Sequence, residues 1–327
     1  MTSLATLSDR PGTGGRIRRF LAVPDGAYRG ALGAVAALFV LLLVVFVAAL
    51  VVQARPAFAH FGFSFLTSTK WDPVHAHYGV LVFLVGTLET TVIALAIAFP
   101  IGLGCALALA FGIPERLRVT LGPAVELLAA VPSVVYGLWG LLVVAPWVRA
   151  TIEPALAHIT GGHEPFGGTQ LGVGLLLAGV ILSIMILPTM VAISRDVLMA
   201  VPEVEIEGAF ALGATRWQVM RRVVVPGARA GILGATTLAT GRAMGETIAV
   251  TMVIGNTDHF THSLFGTTQT MASLIANEFT EATEPFHLAS LIAVGVLLMV
   301  VAAVVNVVAR LLVRSVSRQG ALGMGVL

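Results

Sequence analysis

The sequence predicts an all-α polytopic membrane protein with six transmembrane helices, and three observations predict it. The 327 residues are 57% hydrophobic and only 11% charged, with a mean hydropathy of +0.95. Soluble domains carry roughly 25% charged residues. Six apolar runs reach the ~20 residues that a helix needs to cross the hydrocarbon. Of the 19 Lys and Arg, all but Arg55, Lys70, Arg149 and Arg242 fall in segments that a six-span topology puts on one side.

In order, the runs are Ala31 to Val52, Gly79 to Phe111, Leu121 to Trp147, Leu171 to Ser194, Ala230 to Thr257 and Leu288 to Ala309. The second carries Glu89, the third Glu126, and the fifth Arg242 and Glu246; the others are uncharged. The second exceeds a minimal span, and Pro100, Gly102 and Gly104 allow it to kink or tilt. The first has Ala57-Phe58-Ala59 after it, a small-x-small pattern. Its apolar stretch is nevertheless longer than a signal-peptide core and follows a polar tail, so it reads as a retained anchor.

The implied organisation is a tail over 1–30, the first anchor over 31–53, a membrane domain over 79–314 that contains the loop 195–229, and a second tail over 315–327. Both tails fall on the Arg-rich side, which the positive-inside rule makes cytoplasmic. The basic composition is then anchoring against anionic headgroups rather than nucleic-acid binding. Three external loops follow: 53–78, with Phe61, Phe63, Phe65 and Trp71 able to pack on the bundle; 148–170; and the acidic 258–287.

The cytoplasmic segment 195–229 reads as two short helices. Pro202 suits a first helical position, and Glu203, Glu205 and Glu207 favour the positive end of that helix. Gly213 can end it in the left-handed conformation. Thr215 and Gln218 fit a capping box for the second helix, and Pro226 is expected to stop it. Within this loop stand Glu207-Gly208-Ala209, then three residues, Gly213, then nine residues, Val223-x-Val225-Pro226. The spacing resembles the coupling-loop motif of ABC importer permeases, EAA-x3-G-x9-I-x-L-P, with Gly for the first Ala and Val for Ile and Leu. Phe210, Leu212 and Trp217 are apolar anchors for a partner ATPase, and Arg216, Arg221 and Arg222 can meet its acidic groups or lipid phosphate. An amphipathic helix pair on the membrane surface is the alternative that the motif spacing disfavours.

An ionisable group inside the membrane marks a functional site by default. Arg242 and Glu246 are expected to share one face of the fifth helix at i and i+4, about 6 Å apart along the axis. An Arg fork suits a tetrahedral oxyanion, with Glu246 holding the Arg between turnovers; a structural ion pair is the other reading. Glu89 lies about 15 Å into the second span by helical rise, where a pairing with Arg242 is conceivable. Glu126 reads as interfacial or near a helix N-terminus. Pro132 breaks the third span, and the hydroxyls of Ser133 and Tyr136 can compensate; this is either a hinge or polar lining of the path, or a packed kink.

Several classes are excluded or disfavoured. The only lysine, Lys70, follows Thr69, so the Gly-Lys-Ser/Thr of a P-loop is absent and ATP with its Mg belongs to another chain. The eight histidines fall in external segments, where solvated residues are a better reading than a metal site. Cys105, the one cysteine, excludes an internal disulfide and reads as a small buried hydrophobe.

Longer matches narrow the family. Glu126 to Gly140, Gly213-Ala-Thr-Arg-Trp217, Gly241-Arg-Ala-Met-Gly-Glu-Thr247, Ile254-Gly-Asn256 and Ile275-Ala-Asn-Glu-Phe279 together resemble the phosphate importer permeases of the PstC family. The resemblance runs from about Gly86 to Arg314. It implies a type I ABC importer permease (MetI-like) fold in a bacterial inner membrane. It further implies a PstA-like sister permease, two PstB-like ATPase subunits and an external PstS-like phosphate-binding protein. Arg242 and Glu246 match the family's buried Arg and Glu, while Glu89 departs from its pattern. Another oxyanion such as sulfate or molybdate, or the sister phosphate permease, are alternatives within the class. A gradient-driven transporter or channel is the alternative outside it.

Overall fold

The computed structural model describes residues 25–323, with side-chain surroundings from 28 to 311. The N-terminal tail with Arg10, Arg16, Arg18 and Arg19, and the final residues from 324, lie outside the described residues. Among the described residues, six helices are long and apolar enough to cross a membrane. The first, α1, runs Asp25–Phe61, longer at both ends than the apolar run that announces it. Residues up to Val52 form a unit of their own; their part of α1 is apolar all round, the pattern of a helix surrounded by acyl chains.

In the second unit, from Gln53 onward, α2 spans Leu81–Gly112 and α3 spans Glu115–Leu128. The third membrane helix, α4, covers Ser133–Ile159, and α5 covers Leu175–Met199. The loop expected to couple contains α6, Glu203–Ala211. The fifth span begins as α7, Arg216–Met244, and resumes as α8, Ile248–Val253. A short helix α9, Met271–Glu278, precedes α10, Pro285–Gly323.

The centre of the bundle is the α2–α5 pair. Ala94 and Ala98 of α2 and Ala178, Ile181, Leu182 and Met185 of α5 belong to one buried cluster. The helices come close because Gly179 presents only hydrogen: a Cβ there would land on Ile93. A second such approach joins α4 to α8, where a Cβ on Gly137 would sit 2.8 Å from Met252 Sδ and 2.9 Å from Ala249 Cα.

Three prolines shape two of the spans in a way the sequence reading misses. Pro226 does not stop its helix; α7 runs through it. The reason is a π-helical turn, Met220–Val224, in which Val225 N–H donates to Met220 O. Proline lacks an N–H and its ring collides with the carbonyl four residues back; the wider turn moves that carbonyl aside. The same device precedes Pro146, where Ala145 N–H donates to Gly140 O, and Pro154, where Glu153 N–H donates to Val148 O. The third span therefore extends to Ile159 instead of ending at Trp147. Glu153, overlooked as part of an external loop, is buried there and accepts the Gly172 N–H at 3.1 Å.

The third span also starts later than expected. The chain breaks at Ala129–Pro132, so Glu126 sits in the last turn of α3, not near a helix N-terminus, and pairs with Arg195 at 3.3 Å. Cys105 is exposed on α2 rather than buried, because it points away from the α2–α5 seam.

The loop after α1 adds a short hairpin to the helices, pairing Trp71 with Tyr78 and Asp72 with His77. Phe65 and Trp71 are buried as the loop folds onto the bundle, whereas Phe63 is exposed. Trp71 Nε1 donates to Glu278 Oε2 at 2.8 Å, and His287 Nε2 lies 2.9 Å from the same oxygen. Burial, with the carboxylates of Glu278, Asp72 and Glu284 nearby, pushes the Tyr78 hydroxyl up from its ordinary value.

Candidate functional site

Arg242 lies in the last turn of α7, half-buried. Its Nη1 donates to Thr189 Oγ1 of α5 at 3.0 Å, and its Nη2 to Ala129 O at 3.4 Å. Ala129 belongs to the α3–α4 break, whose carbonyls have lost their helical donors. The Tyr136 hydroxyl donates to the neighbouring freed carbonyl, Leu128 O, at 2.9 Å. Arg242 and Tyr136 thus tie α7 and α4 to the same break. Ser133 stands at the start of α4, half-buried.

Glu246 is not on the helical face of Arg242. Helix α7 ends at Met244, and Gly245, Glu246 and Thr247 form the link to α8. Glycine raises the cost of helix at this point, and the Thr247 hydroxyl donates to Gly245 O at 3.2 Å, a local bond that competes with helix continuation. The i, i+4 geometry needs an unbroken helix, so the expected pair does not form. Among the described residues, no ion pair joins Arg242 to Glu246 or to Glu89. Neutral groups hold the guanidinium instead. It faces a cavity of about 400 Å³ lined also by Thr189, Thr237, Gly241 and Asn306. Sequence reasoning missed Thr189 and Asn306, although a lone Asn in the otherwise apolar sixth run was a usable signal.

The second candidate surface is the loop between α5 and α7. Helix α6 follows Pro202. It ends in a Schellman arrangement: Gly213, at φ +80°, donates to Phe210 O at 2.9 Å, and Ala214 donates to Ala209 O at 3.1 Å. Thr215 and Gln218 then form a reciprocal capping box. Beneath the turn, Ile206 and Ala209 pack on a buried cluster of Ala106, Leu198, Val201, Val219 and Val224. The turn is therefore fastened to α2, α5 and α7. On its outer side Leu212 is 91%, Trp217 69% and Phe210 42% exposed. Glu207, Gly208, Arg216 and Pro226 are exposed too.

The profile of the family described as "Binding-protein-dependent transport system inner membrane component" matches residues 98–318. The chain belongs to this permease family, among its PstC members. It is 44% identical over 310 residues to the phosphate transport system permease protein PstC of Mesorhizobium japonicum, covering 93% of this chain and 94% of that protein. It is 42% identical to the protein of the same name from Pasteurella multocida, over 86% of this chain and 90% of that one. The fold is shared with a chain of a bacterial alginate ABC transporter, at a TM-score of 0.60 and 16% identity over 87% of this chain and 94% of that one. A chain of the MetNI methionine ABC transporter matches at a TM-score of 0.51 and 20% identity, over 72% and 96%. This chain is thus a multi-pass ABC importer permease of the MetI-like fold. The fastened turn leaves an apolar outer side exposed, and the break in the fifth span leaves Gly245, Glu246 and Thr247 outside helix. Among the described residues, no three His, Cys, Asp or Glu side chains converge as metal ligands.

Proposed function

We propose that this permease carries inorganic phosphate across the bacterial inner membrane in an ATP-driven importer. The observation that carries the reading is Arg242, an intramembrane guanidinium held by neutral partners and lining a cavity that also holds Thr189, Thr237 and Asn306. Two of its five donors are engaged, which leaves the charge and a free edge for a tetrahedral oxyanion. The names of its relatives give the cargo. Arg242 is the path residue at this depth. Tyr136 and Ser133 shape the wall at the α3–α4 break, and Glu246 and Glu89 are polar positions along the path.

Both termini face the cytoplasm in this reading, supported by the segregation of Arg. The 195–229 loop then meets a partner ATPase dimer, which binds ATP and Mg. Glu207, Gly208, Ala209, Phe210, Gly213, Arg216, Trp217 and Pro226 form the contact and its frame. A sister permease completes the path, and an external phosphate-binding protein delivers the cargo. The chain itself hydrolyses nothing: its part is to pass movement of the docked turn to the helices lining the path.

The test is labelled phosphate uptake at limiting phosphate, in cells lacking this chain and in cells with it restored, with excess sulfate as competitor. Restored, sulfate-resistant uptake is the expected result. Uptake that is unaffected by the chain, or lost to sulfate, overturns the assignment of cargo.

A further inference from the structure

We infer that Thr237 of α7 and Asn306 of α10 form the acceptor half of an oxyanion site whose donor half is Arg242, a site suited to an anion that carries an O–H group. The inference rests on the phosphate reading above. The cavity in question holds about 400 Å³ and brings together residues from three helices, α5, α7 and α10. Its lining contains one formal charge, that of Arg242, and no carboxylate.

The hydrogen bonds sort the lining by polarity. Thr237 Oγ1 spends its proton on Leu233 O at 2.8 Å, so toward the cavity it offers lone pairs. Asn306 Nδ2 donates to Ala302 O at 2.9 Å, a bond that fixes which end of the amide is nitrogen. Among the described residues nothing donates to Asn306 Oδ1. Thr189 Oγ1 accepts from Arg242 and keeps its own proton to give. Cationic donors and neutral acceptors therefore line one cavity. An ion made only of acceptor oxygens, such as sulfate, satisfies the Arg242 side and leaves the other side unmet. Phosphate near neutral pH retains at least one O–H, which Thr237 Oγ1 or Asn306 Oδ1 can accept. A site built for a substrate hydroxyl rejects analogues lacking it more strongly than shape alone does.

The experiment compares four variants in the whole importer, measuring phosphate uptake and the amount of this chain that co-purifies with its ATPase partner. Thr237→Val and Asn306→Leu remove an acceptor; Thr237→Ser and Asn306→Gln keep one. Loss of one hydrogen bond predicts that each apolar variant lowers the maximal uptake rate by about 3- to 10-fold. The KM, set by external delivery, is expected to stay within about twofold. The conservative variants are expected to recover most of the rate. Wild-type rates in both apolar variants, at normal co-purification, would overturn the inference. Equal impairment of the Ser and Gln variants would overturn it as well, since that marks packing. If one variant fails to assemble, the other position carries the test alone. A wild-type chain that imports no phosphate would sink the function and leave the polarity of the site to be tested with another O–H-bearing oxyanion.

Discussion

Replacing Trp217 with Ala tests whether the turn between α6 and α7 is where the ATPase docks. Trp217 is 69% exposed, so the permease loses little of its own packing when the ring is removed. A Trp side chain presents roughly 200 Å², so about 140 Å² remains for a partner to cover. At about 25 cal/mol per Å² that area contributes ~3.5 kcal/mol on docking, an upper bound equivalent to a few hundredfold in affinity. Incomplete coverage and side-chain ordering reduce this, and a loss of 10- to 100-fold in association is the working expectation. The assay titrates purified ATPase subunit against the permease complex in detergent and records binding and stimulated hydrolysis. A parallel thermal melt of the permease is expected to stay within about 0.5 kcal/mol of wild type. ATPase binding unchanged by Trp217→Ala and also by Leu212→Ala, the 91% exposed neighbour, would refute the docking argument.

Other expectations follow from the same geometry. Gly213→Ala places a Cβ at φ +80° and is expected to lower the stability of the turn by about 1 kcal/mol, read as faster amide exchange at Ala214. Gly137→Leu drives a side chain into Ala249 and Met252; overpacking of about 1–3 kcal/mol is expected to lower the thermal midpoint, and an unchanged midpoint would refute the close α4–α8 contact. Tyr136→Phe removes one of the bonds to Leu128 O, which also accepts from Val131 N–H; a small loss of about 0.5–1.5 kcal/mol is expected. In the external hairpin, the His75 ring and the His75 and Val74 backbone N–H groups hold the Asp72 carboxyl below its ordinary range. A lowered folded value means the turn is favoured above the ordinary Asp range and loses that support as pH falls through the lower folded value. Amide protection of Val74 and His75 should accordingly fall as Asp72 protonates in acid solution, below the ordinary Asp range, and Asp72→Asn should abolish that acid loss.

Much of the architecture was legible because it depends on local pattern. The apolar runs gave six spans since bilayer thickness sets helix length. Gly213 and Thr215 with Gln218 gave the ends of α6 and the start of α7, because caps are short-range hydrogen bonds. What escaped depends on tertiary accommodation. Pro226, Pro146 and Pro154 look like helix stops, and only the π turns before them, which cost backbone regularity but keep the spans continuous, reveal otherwise. The break at Gly245 escaped because the charge spacing of Arg242 and Glu246 argues for a helix as strongly as Gly245 argues against one. The partners of Arg242, Thr189 and the Ala129 carbonyl, lie 53 and 113 positions away. No residue pattern near Arg242 announces them.

The most direct test of the account is Arg242→Gln in the intact importer, read by phosphate uptake and by recovery of the assembled complex. Gln keeps hydrogen-bonding capacity toward Thr189 while removing the charge. The account predicts that the complex assembles and that uptake falls at least 10-fold. Full uptake by that variant would contradict the central claim that the anion passes Arg242.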